Sequence, residues 1–211
     1  DHIPGLTKRE RKAQRRQLAK KPNRGLSLRQ IEPLTPAQEE AFEEFDSGQH
    51  LLLHGVAGTG KTYISLFLAL QETLQNQFEK TVIVRSVVPT RDMGFLPGNL
   101  KEKARAYELP YYGIATDLFG RGDAYEILKT SQQVEFLSTS YLRGTTIRNA
   151  CVVIDEAQNL TFHELDSVIT RLGDGCRVIV CGDFRQSDLT LHNDRMGIKS
   201  FMNIIRDIKG F

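Results

Sequence analysis

A glycine-rich loop between a short apolar run and a helical segment constrains this 211-residue chain more than any other feature. Residues 55–62 read Gly-Val-Ala-Gly-Thr-Gly-Lys-Thr, a complete G-x-x-x-x-G-K-T pattern. Glycines let the backbone adopt left-handed conformations, so that successive N–H groups point inward and surround a phosphate. In such a loop Lys61 reaches the β- and γ-phosphates, and the hydroxyl of Thr62 ligates Mg²⁺.

The residues on either side of the loop support this interpretation. Residues 49–54 form a short apolar run typical of a strand, and residues 63–74 carry apolar side chains at helical spacing. A phosphate in the loop would also meet the positive end of that helix. The alternative is a glycine-rich turn that precedes Lys-Thr by chance. The predicted phosphate contacts are Gly55, Val56, Ala57, Gly58, Thr59, Gly60, Lys61, Thr62 and Tyr63.

An apolar run that ends in two carboxylates is the second motif. Residues 150–154 are continuously apolar, as expected of a strand buried on both faces, and Asp155 and Glu156 follow directly. Asp155 would hold Mg²⁺ through a water molecule, because this hard cation needs oxygen ligands. Glu156 is placed to orient and deprotonate an attacking water. Together with the phosphate loop, this motif indicates hydrolysis of a nucleoside triphosphate.

A third motif, Gly-Asp-Phe-Arg-Gln at residues 182–186, follows another apolar run. Gly182 allows a tight exit from a strand, while Asp183 and Gln186 can face the same crevice as the other motifs. Gln186 is therefore a candidate sensor that contacts the γ-phosphate or the attacking water. The alternative for this motif alone is a polar turn after a buried strand.

The order of the remaining segments predicts an α/β fold with a mainly parallel sheet in three layers. We predict strands at 81–85, 134–137, 150–154 and 177–181 besides the one before the loop. Helices are predicted from Pro36, with Thr35 as N-cap, and at about 99–112, 162–172 and 198–208, with a more irregular helical stretch reaching residue 129. The ligand site should lie at the carboxyl ends of the strands.

Charge divides the chain into two parts. Residues 1–30 hold ten basic and two acidic residues, a net charge of +8, whereas the remainder carries −6. We predict a basic N-terminal arm over 1–30, partly helical or flexible, and a single domain over 31–211. Such an arm is typical of polyanion binding, and the alternative is a solvated tail that aids solubility.

Composition indicates a soluble cytoplasmic protein without membrane partners. No apolar run approaches the ~20 residues that span a bilayer, and the first residues do not form a secretory signal. Three cysteines without C-x-x-C spacing argue against a disulfide framework or a zinc site. The chain begins at Asp1 rather than at methionine, as a fragment of a longer protein would.

The three motifs in this order resemble the first RecA-like domain of superfamily-one helicases. More specifically, the chain resembles the PhoH family, which includes bacteriophage forms. The segments that carry this resemblance are residues 94–103 (GFLPGNLKEK), 141–146 (YLRGTT) and 170–173 (TRLG). It covers roughly residues 34–190 and leaves the basic arm outside.

The resemblance implies an ATPase that uses ATP and Mg²⁺, with RNA or single-stranded DNA as partner and helicase activity. It assigns Gln38 to the adenine, although from the residues alone Gln38 would pass for a surface helical residue. By the same analogy Thr90, Arg91 and Arg143 are candidate nucleic-acid contacts. Some toxin–antitoxin relatives are ribonucleases, but no separate nuclease constellation is visible here, so that activity is not carried over.

The family pattern continues beyond Phe211 with a further strand and an arginine-containing segment, and helicases of this class use a second RecA-like domain. A transition-state arginine contributes ~10³–10⁵ in rate in related enzymes. The in-chain candidates are Arg91, Arg143, Arg171 and Arg185. The other sources are a neighbouring subunit or residues absent from this sequence, and we predict a homo-oligomer with the ATP site at its interface.

Two other functions remain open. A small-molecule kinase with the same type of phosphate-binding loop would have an arginine-rich lid and no water-activating glutamate beside Asp155. A nucleotide-gated binding module would use the basic arm and turn over little ATP.

Overall fold

A computed structural model describes residues 25–87, 100–142 and 144–183, with the side chains of residues 100–104 and 141 left out. The predicted arm before residue 25 and the helix predicted at 198–208 lie outside the described residues. Among the described residues, no helix is long and apolar enough to cross a bilayer.

Helices and strands alternate along the described chain. In order they are α1 (Pro36–Asp46), β1 (Leu51–His54), α2 (Lys61–Leu74), β2 (Lys80–Arg85), α3 (Leu100–Phe119), α4 (Ala124–Thr130), β3 (Val134–Ser138), β4 (Ala150–Ile154), α5 (Phe162–Ile169) and β5 (Arg177–Gly182). Short 3₁₀ turns at Thr139–Tyr141 and Ala157–Asn159 follow β3 and β4.

The five strands form one sheet in the order β1-β5-β4-β2-β3, and every neighbouring pair is parallel. Strand β5 therefore lies between β1, which leads into the glycine-rich loop, and β4, which leads into Asp155. Because all strands run the same way, their carboxyl ends meet at one edge. The prediction of an α/β fold around a parallel sheet is confirmed.

Side chains of the central strands alternate between two hydrophobic cores. Ile83, Val153 and Ile179 pack on the face that α2, α3 and α4 cover. Their chain neighbours, including Val82, Val152 and Val180, pack on the opposite face against α5. All are buried, and burying each Val or Ile side chain contributes about 1.5–3 kcal/mol. Helices on both faces of the sheet give the predicted three layers.

Helix α3 is longer than predicted. We expected a helix to about residue 112 and an irregular stretch after it, but one helix runs through Pro110 to Phe119. A proline inside a helix removes a hydrogen bond and costs ~3 kcal/mol. Buried side chains spaced four or three residues apart stabilise the helix on both sides of Pro110. They are Tyr107, Tyr111, Ala115 and Leu118.

Helix α5 is shorter than predicted, because residues 171–173 turn back to Ile147. The backbone N–H of Ile147 donates to the carbonyl of Arg171 (2.9 Å), and the N–H of Gly173 donates to the carbonyl of Ile147 (2.8 Å). The predicted start is confirmed: Thr161 caps the helix in a capping box with Glu164. Thr35 likewise caps α1, with Pro36 in the first turn, as predicted.

The segment before α1 packs onto the domain. Leu26 is only 4% exposed and belongs to the core beside α2 and α3. The backbone N–H of Arg29 donates to the carbonyl of Leu118 (2.8 Å), and its guanidinium donates to the carbonyl of Asp117 (3.1 Å). Residues 26–29 therefore help to cover the end of α3.

Candidate active site

The glycine-rich loop connects β1 to α2 at the carboxyl edge of the sheet. Gly58 and Gly60 adopt left-handed conformations, with φ values of 78° and 81°, and α2 begins directly after Gly60. The N–H of Gly55 donates to the carbonyl of Gly182 (3.4 Å), which ties the loop to β5. The backbone thus has the curled form and the helix start that phosphate binding needs.

The ammonium group of Lys61 folds back over this loop. Its Nζ donates to the carbonyls of Gly55 (2.9 Å) and Val56 (2.7 Å) and to Oγ1 of Thr59 (3.4 Å). These acceptors are all part of the loop, so the positive charge is held where phosphate oxygens would lie. Phosphate oxygens could replace the two carbonyls as stronger, charged partners.

Thr62 and Asp155 meet at the mouth of the loop. Oγ1 of Thr62 donates to Oδ1 of Asp155 across 2.8 Å, although the two residues follow different, non-adjacent strands. A hydroxyl and a carboxylate oxygen are the hard ligands that Mg²⁺ prefers, and Mg²⁺ commonly uses one or two protein oxygens together with phosphates. The residues present therefore fit a Mg²⁺–nucleotide complex.

The carboxylate of Asp155 is 3% exposed and has two further partners. Its Oδ2 accepts a hydrogen bond from the hydroxyl of Tyr111 (2.8 Å), and its Oδ1 accepts one from the thiol of Cys181 (3.1 Å). Burial, and then the charge of Asp155, hold the pKa of Tyr111 and of Cys181 well above their ordinary values. Both groups therefore stay protonated and act as donors to the carboxylate.

Arg85, the last residue of β2, adds a positive charge beside this cluster. Its guanidinium lies 5.7 Å from the centre of the Tyr107 ring. Burial acts to lower the pKa of Arg85, but its electrostatic interactions with Tyr111, Asp155 and Glu156 outweigh burial and raise that pKa. The guanidinium thus remains charged between helix α3 and the two carboxylates.

Glu156 has an unusual backbone conformation for a residue with a side chain. Its φ of 51° and ψ of 43° lie in the left-handed region, at the start of the 3₁₀ turn after β4. Nε2 of Gln158 donates to Oε2 of Glu156, and Oε1 of Gln158 accepts from the N–H of Asp183 (3.0 Å). Gln158 therefore links the end of β4 to the end of β5 and fixes the direction of the Glu156 side chain.

Gln38 lies against the glycine-rich loop. Its Nε2 donates to the carbonyl of Thr59 (3.3 Å), and its Oε1 accepts from the N–H of Leu34 (2.7 Å). It is therefore not an isolated surface residue of α1. Tyr63, in the first turn of α2, is half-buried and packs against the core beside that helix. The adenine contact of Gln38 and the phosphate contact of Tyr63 stay predictions.

The described residues do not include all of the predicted site residues. Thr90, Arg91, Arg143, Arg185 and Gln186 lie outside the described residues. Arg171 is engaged elsewhere: Nε donates to the carbonyl of Leu142 (2.5 Å), and NH1 donates to the carbonyl and hydroxyl of Ser167 (both 2.7 Å). These contacts tie the end of α5 to the turn after β3, which is a structural role.

Sequence reasoning missed Tyr111, Gln158 and Cys181 as partners of the predicted carboxylates, and it missed Arg85 as a positive charge beside them. Tyr111 lies 44 residues before Asp155 in the middle of a helix, and no local pattern connects them. Arg85 had a usable signal, since it ends a buried strand at the edge where the ligand site was expected.

A second concavity, of about 570 Å³, lies between the turn after β3 and helix α5. Thr139, Ser140, His163 and Glu164 are among the residues that line it. Oε1 of Glu164 accepts hydrogen bonds from the hydroxyls of Thr139 (2.6 Å) and Ser86 (3.2 Å). The carboxylate thus joins the ends of β2 and β3 to the start of α5.

Comparison with known proteins identifies relatives along most of the chain. The family described as PhoH-like protein matches residues 30–211. A PhoH-like protein of Synechocystis is 35% identical over 157 residues, which are 74% of this chain and 47% of the relative. Protein PhoH of Escherichia coli is 36% identical over 155 residues, 72% of this chain and 44% of the relative. The chain thus spans about half the length of these curated relatives.

Among solved structures, the chain is similar to a Sulfolobus solfataricus SWI2/SNF2 ATPase core in complex with dsDNA. The TM-score is 0.46 at 17% sequence identity, and the match covers 81% of this chain and 36% of the other. Similarity this low concerns the fold alone.

Proposed function

This chain belongs to the PhoH-like protein family, and we propose that it hydrolyses ATP in a Mg²⁺-dependent reaction coupled to binding or remodelling of nucleic acid. The proposed partner is RNA or single-stranded DNA, and the proposed setting is the cytoplasm. The roles that we propose for individual residues rest on the geometry of the candidate active site.

The hydrogen bond between Thr62 and Asp155 is the observation that carries the proposal. A glycine-rich turn formed by chance would not need a buried carboxylate from a residue 93 positions away. Here the two oxygens meet beside Lys61 and at the start of α2, where a triphosphate would place its terminal groups. Bound Mg²⁺ would neutralise charge on the phosphates and make phosphoryl transfer easier.

The proposed roles of the chain's own residues follow from their positions. Lys61 exchanges loop carbonyls for phosphate oxygens, while the loop N–H groups hold the phosphate chain. Glu156, held by Gln158, accepts a proton from the attacking water. Gln38 orients the base beside the loop, and Gln186 is the proposed γ-phosphate sensor.

Nucleic-acid binding draws its support from charge. The arm carries +8 over 30 residues, which suits a phosphate backbone. Thr90, Arg91 and Arg143 are the further proposed contacts, and we propose that self-association completes the ATP site with an arginine from a neighbouring subunit.

Glu156 favours an ATPase over a small-molecule kinase. A kinase must exclude an activated water, whereas here a second carboxylate follows Asp155 and is held by Gln158. A nucleotide-gated binding module with little turnover is the remaining alternative, and the experiment below separates it from an ATPase.

The test compares ATP hydrolysis by the wild type and by Glu156→Gln, each with and without single-stranded RNA and DNA. General-base catalysis contributes ~10²–10⁴ in rate, so we expect a loss of that order with ATP binding retained. Glu126→Gln is the control, because Glu126 is an exposed carboxylate on α4 that accepts a hydrogen bond from Tyr112. Wild-type turnover in Glu156→Gln would refute the role of Glu156, and a wild type that binds ATP without turnover would support the binding module.

A further inference from the structure

The two oxygens of the Asp155 carboxylate have separate anchors. Oδ1 accepts from Thr62, on the side of the glycine-rich loop, and Oδ2 accepts from Tyr111, on the side of helix α3. A carboxylate turns easily about its Cβ–Cγ bond, because that torsion is broad and roughly two-fold. A donor on Oδ2 therefore determines where Oδ1 points.

The hydroxyl of Tyr111 is itself held in place. The residue is fully buried, and its ring packs against that of Phe136 with centroids 5.8 Å apart. The hydroxyl donates to Asp155, and the positive charge of Arg85 lies beside the same cluster. A buried tyrosine needs a partner for its hydroxyl, but nothing in its packing requires that partner to be a metal-binding carboxylate.

We propose that Tyr111 is a positioning residue for the Mg²⁺–nucleotide complex: its hydroxyl fixes the Asp155 carboxylate so that Oδ1 stays directed at Thr62. Arg85 supports this role because its positive charge compensates the neighbouring carboxylates. The inference rests on the proposed ATPase function and adds to it a residue from α3, outside all three sequence motifs. Outer-shell partners of metal ligands typically contribute 10–100-fold to metal affinity or activity.

The test uses Tyr111→Phe, which removes the hydroxyl and keeps the ring. Tyr125→Phe is a matched control, because Tyr125 is also buried and donates to a carboxylate, that of Glu108 (3.0 Å), away from the loop. Affinity for a fluorescent ATP analogue is measured over a Mg²⁺ titration and in EDTA. We expect Tyr111→Phe to need 10–100-fold more Mg²⁺ than the wild type, with affinity in EDTA within about twofold. Tyr125→Phe should match the wild type in both conditions.

A double-mutant cycle that combines Tyr111→Phe with Asp155→Asn distinguishes a positioning role of Tyr111 from a general packing role. If Tyr111 acts through Asp155, adding Tyr111→Phe to Asp155→Asn should weaken Mg²⁺-dependent binding no further. Additive losses, an equal loss in EDTA, or an unchanged Mg²⁺ requirement in Tyr111→Phe would each overturn the proposal. Should Tyr111→Phe fail to fold, Arg85→Gln takes its place, with the same expected and contrary outcomes.

The Mg²⁺ dependence of nucleotide affinity in the wild type separates an error in the proposed function from an error in the role of Tyr111. If the wild type gains no nucleotide affinity from Mg²⁺, the proposed function is wrong. If the wild type gains affinity and Tyr111→Phe gains it equally, only the positioning role is wrong.

Discussion

The α-carbon of Gly182 approaches the side chain of Gln158 so closely that no side chain fits at position 182. A Cβ there would lie 2.5 Å from Oε1 of Gln158 and 3.1 Å from the backbone nitrogen of Ala157. The same Gln158 holds Glu156 and the N–H of Asp183. The glycine at the end of β5 therefore determines how the catalytic candidate on the neighbouring strand is held.

Gly182→Ala should destabilise the protein and slow hydrolysis. Because two of the three close atoms belong to the backbone, the turn after β4 must shift, and overpacking of this kind costs about 1–3 kcal/mol. Urea unfolding measures the loss. Gly113→Ala is the control: a Cβ on this exposed glycine of α3 meets nothing, and an alanine in a helix should stabilise by about 0.5–1 kcal/mol. Equal stabilities for the Gly182→Ala variant and the wild type would contradict the packing argument.

Thr62→Val should abolish most Mg²⁺-dependent hydrolysis while leaving the fold intact. The substitution keeps the branched shape and removes the hydroxyl that donates to Asp155, whose carboxylate retains Tyr111 and Cys181. The lost hydrogen bond should cost about 0.5–1.5 kcal/mol of unfolding free energy. Thr62→Ser, which keeps the hydroxyl, should retain activity. If Thr62→Val hydrolyses ATP as fast as Thr62→Ser, the hydroxyl has no role at the metal.

Stability should fall as the pH drops below about 6.5, through His50. Its Nδ1 accepts from the N–H of Val178 (3.0 Å), and burial, followed by the charge of Arg177, lowers the pKa of His50 from 6.5. The unfolded chain therefore binds a proton at a pH where the folded chain does not, so acid favours unfolding. Chemical denaturation from pH 7 to pH 5 measures the slope. His50→Asn should reduce this slope, and an unchanged slope would contradict the role of His50.

Neutralising the basic arm should flatten the salt dependence of nucleic-acid binding. Residues 26–29 pack on the domain, so the change is best confined to Lys and Arg residues before position 25, replaced by Gln. Each lost phosphate contact lowers the slope of log affinity against log salt by about 0.7 for a single strand. Fluorescence anisotropy with a labelled single strand, at several salt concentrations, measures this slope. An unchanged slope would identify the arm as a solubility tail.

Sequence patterns predicted the parts of the site that each lie within one short stretch of the chain. The loop at 55–62 and the strand end at Asp155 were recognisable because spacing and apolar runs determine them within ten residues or so. The sheet was also predictable, since buried parallel strands are continuously apolar, as at residues 150–154. The basic character of the arm was visible, but its function was not.

Contacts between distant residues were not predictable in the same way. The bond from Tyr111 to Asp155 depends on how α3 crosses the sheet, and α3 itself continued through Pro110 because buried side chains outweighed a local helix breaker. Arg85 was overlooked as a charge near the carboxylates, while Arg171, considered as a catalytic candidate, is tied to backbone carbonyls. These outcomes follow from tertiary packing and not from spacing.

The side chains at the end of β2 limit which insertions and deletions this strand can accept. Arg85 faces Tyr111 and the Asp155 cluster on one side of the sheet, and Ser86 faces Glu164 on the other. Successive strand residues point to opposite faces, so inserting or deleting one residue within β2 would exchange the two side chains. Asp155 and Tyr111 would then lose the neighbouring charge of Arg85, and Glu164 would lose the hydrogen bond from the hydroxyl of Ser86. We therefore expect residues 80–86 to tolerate no change in length.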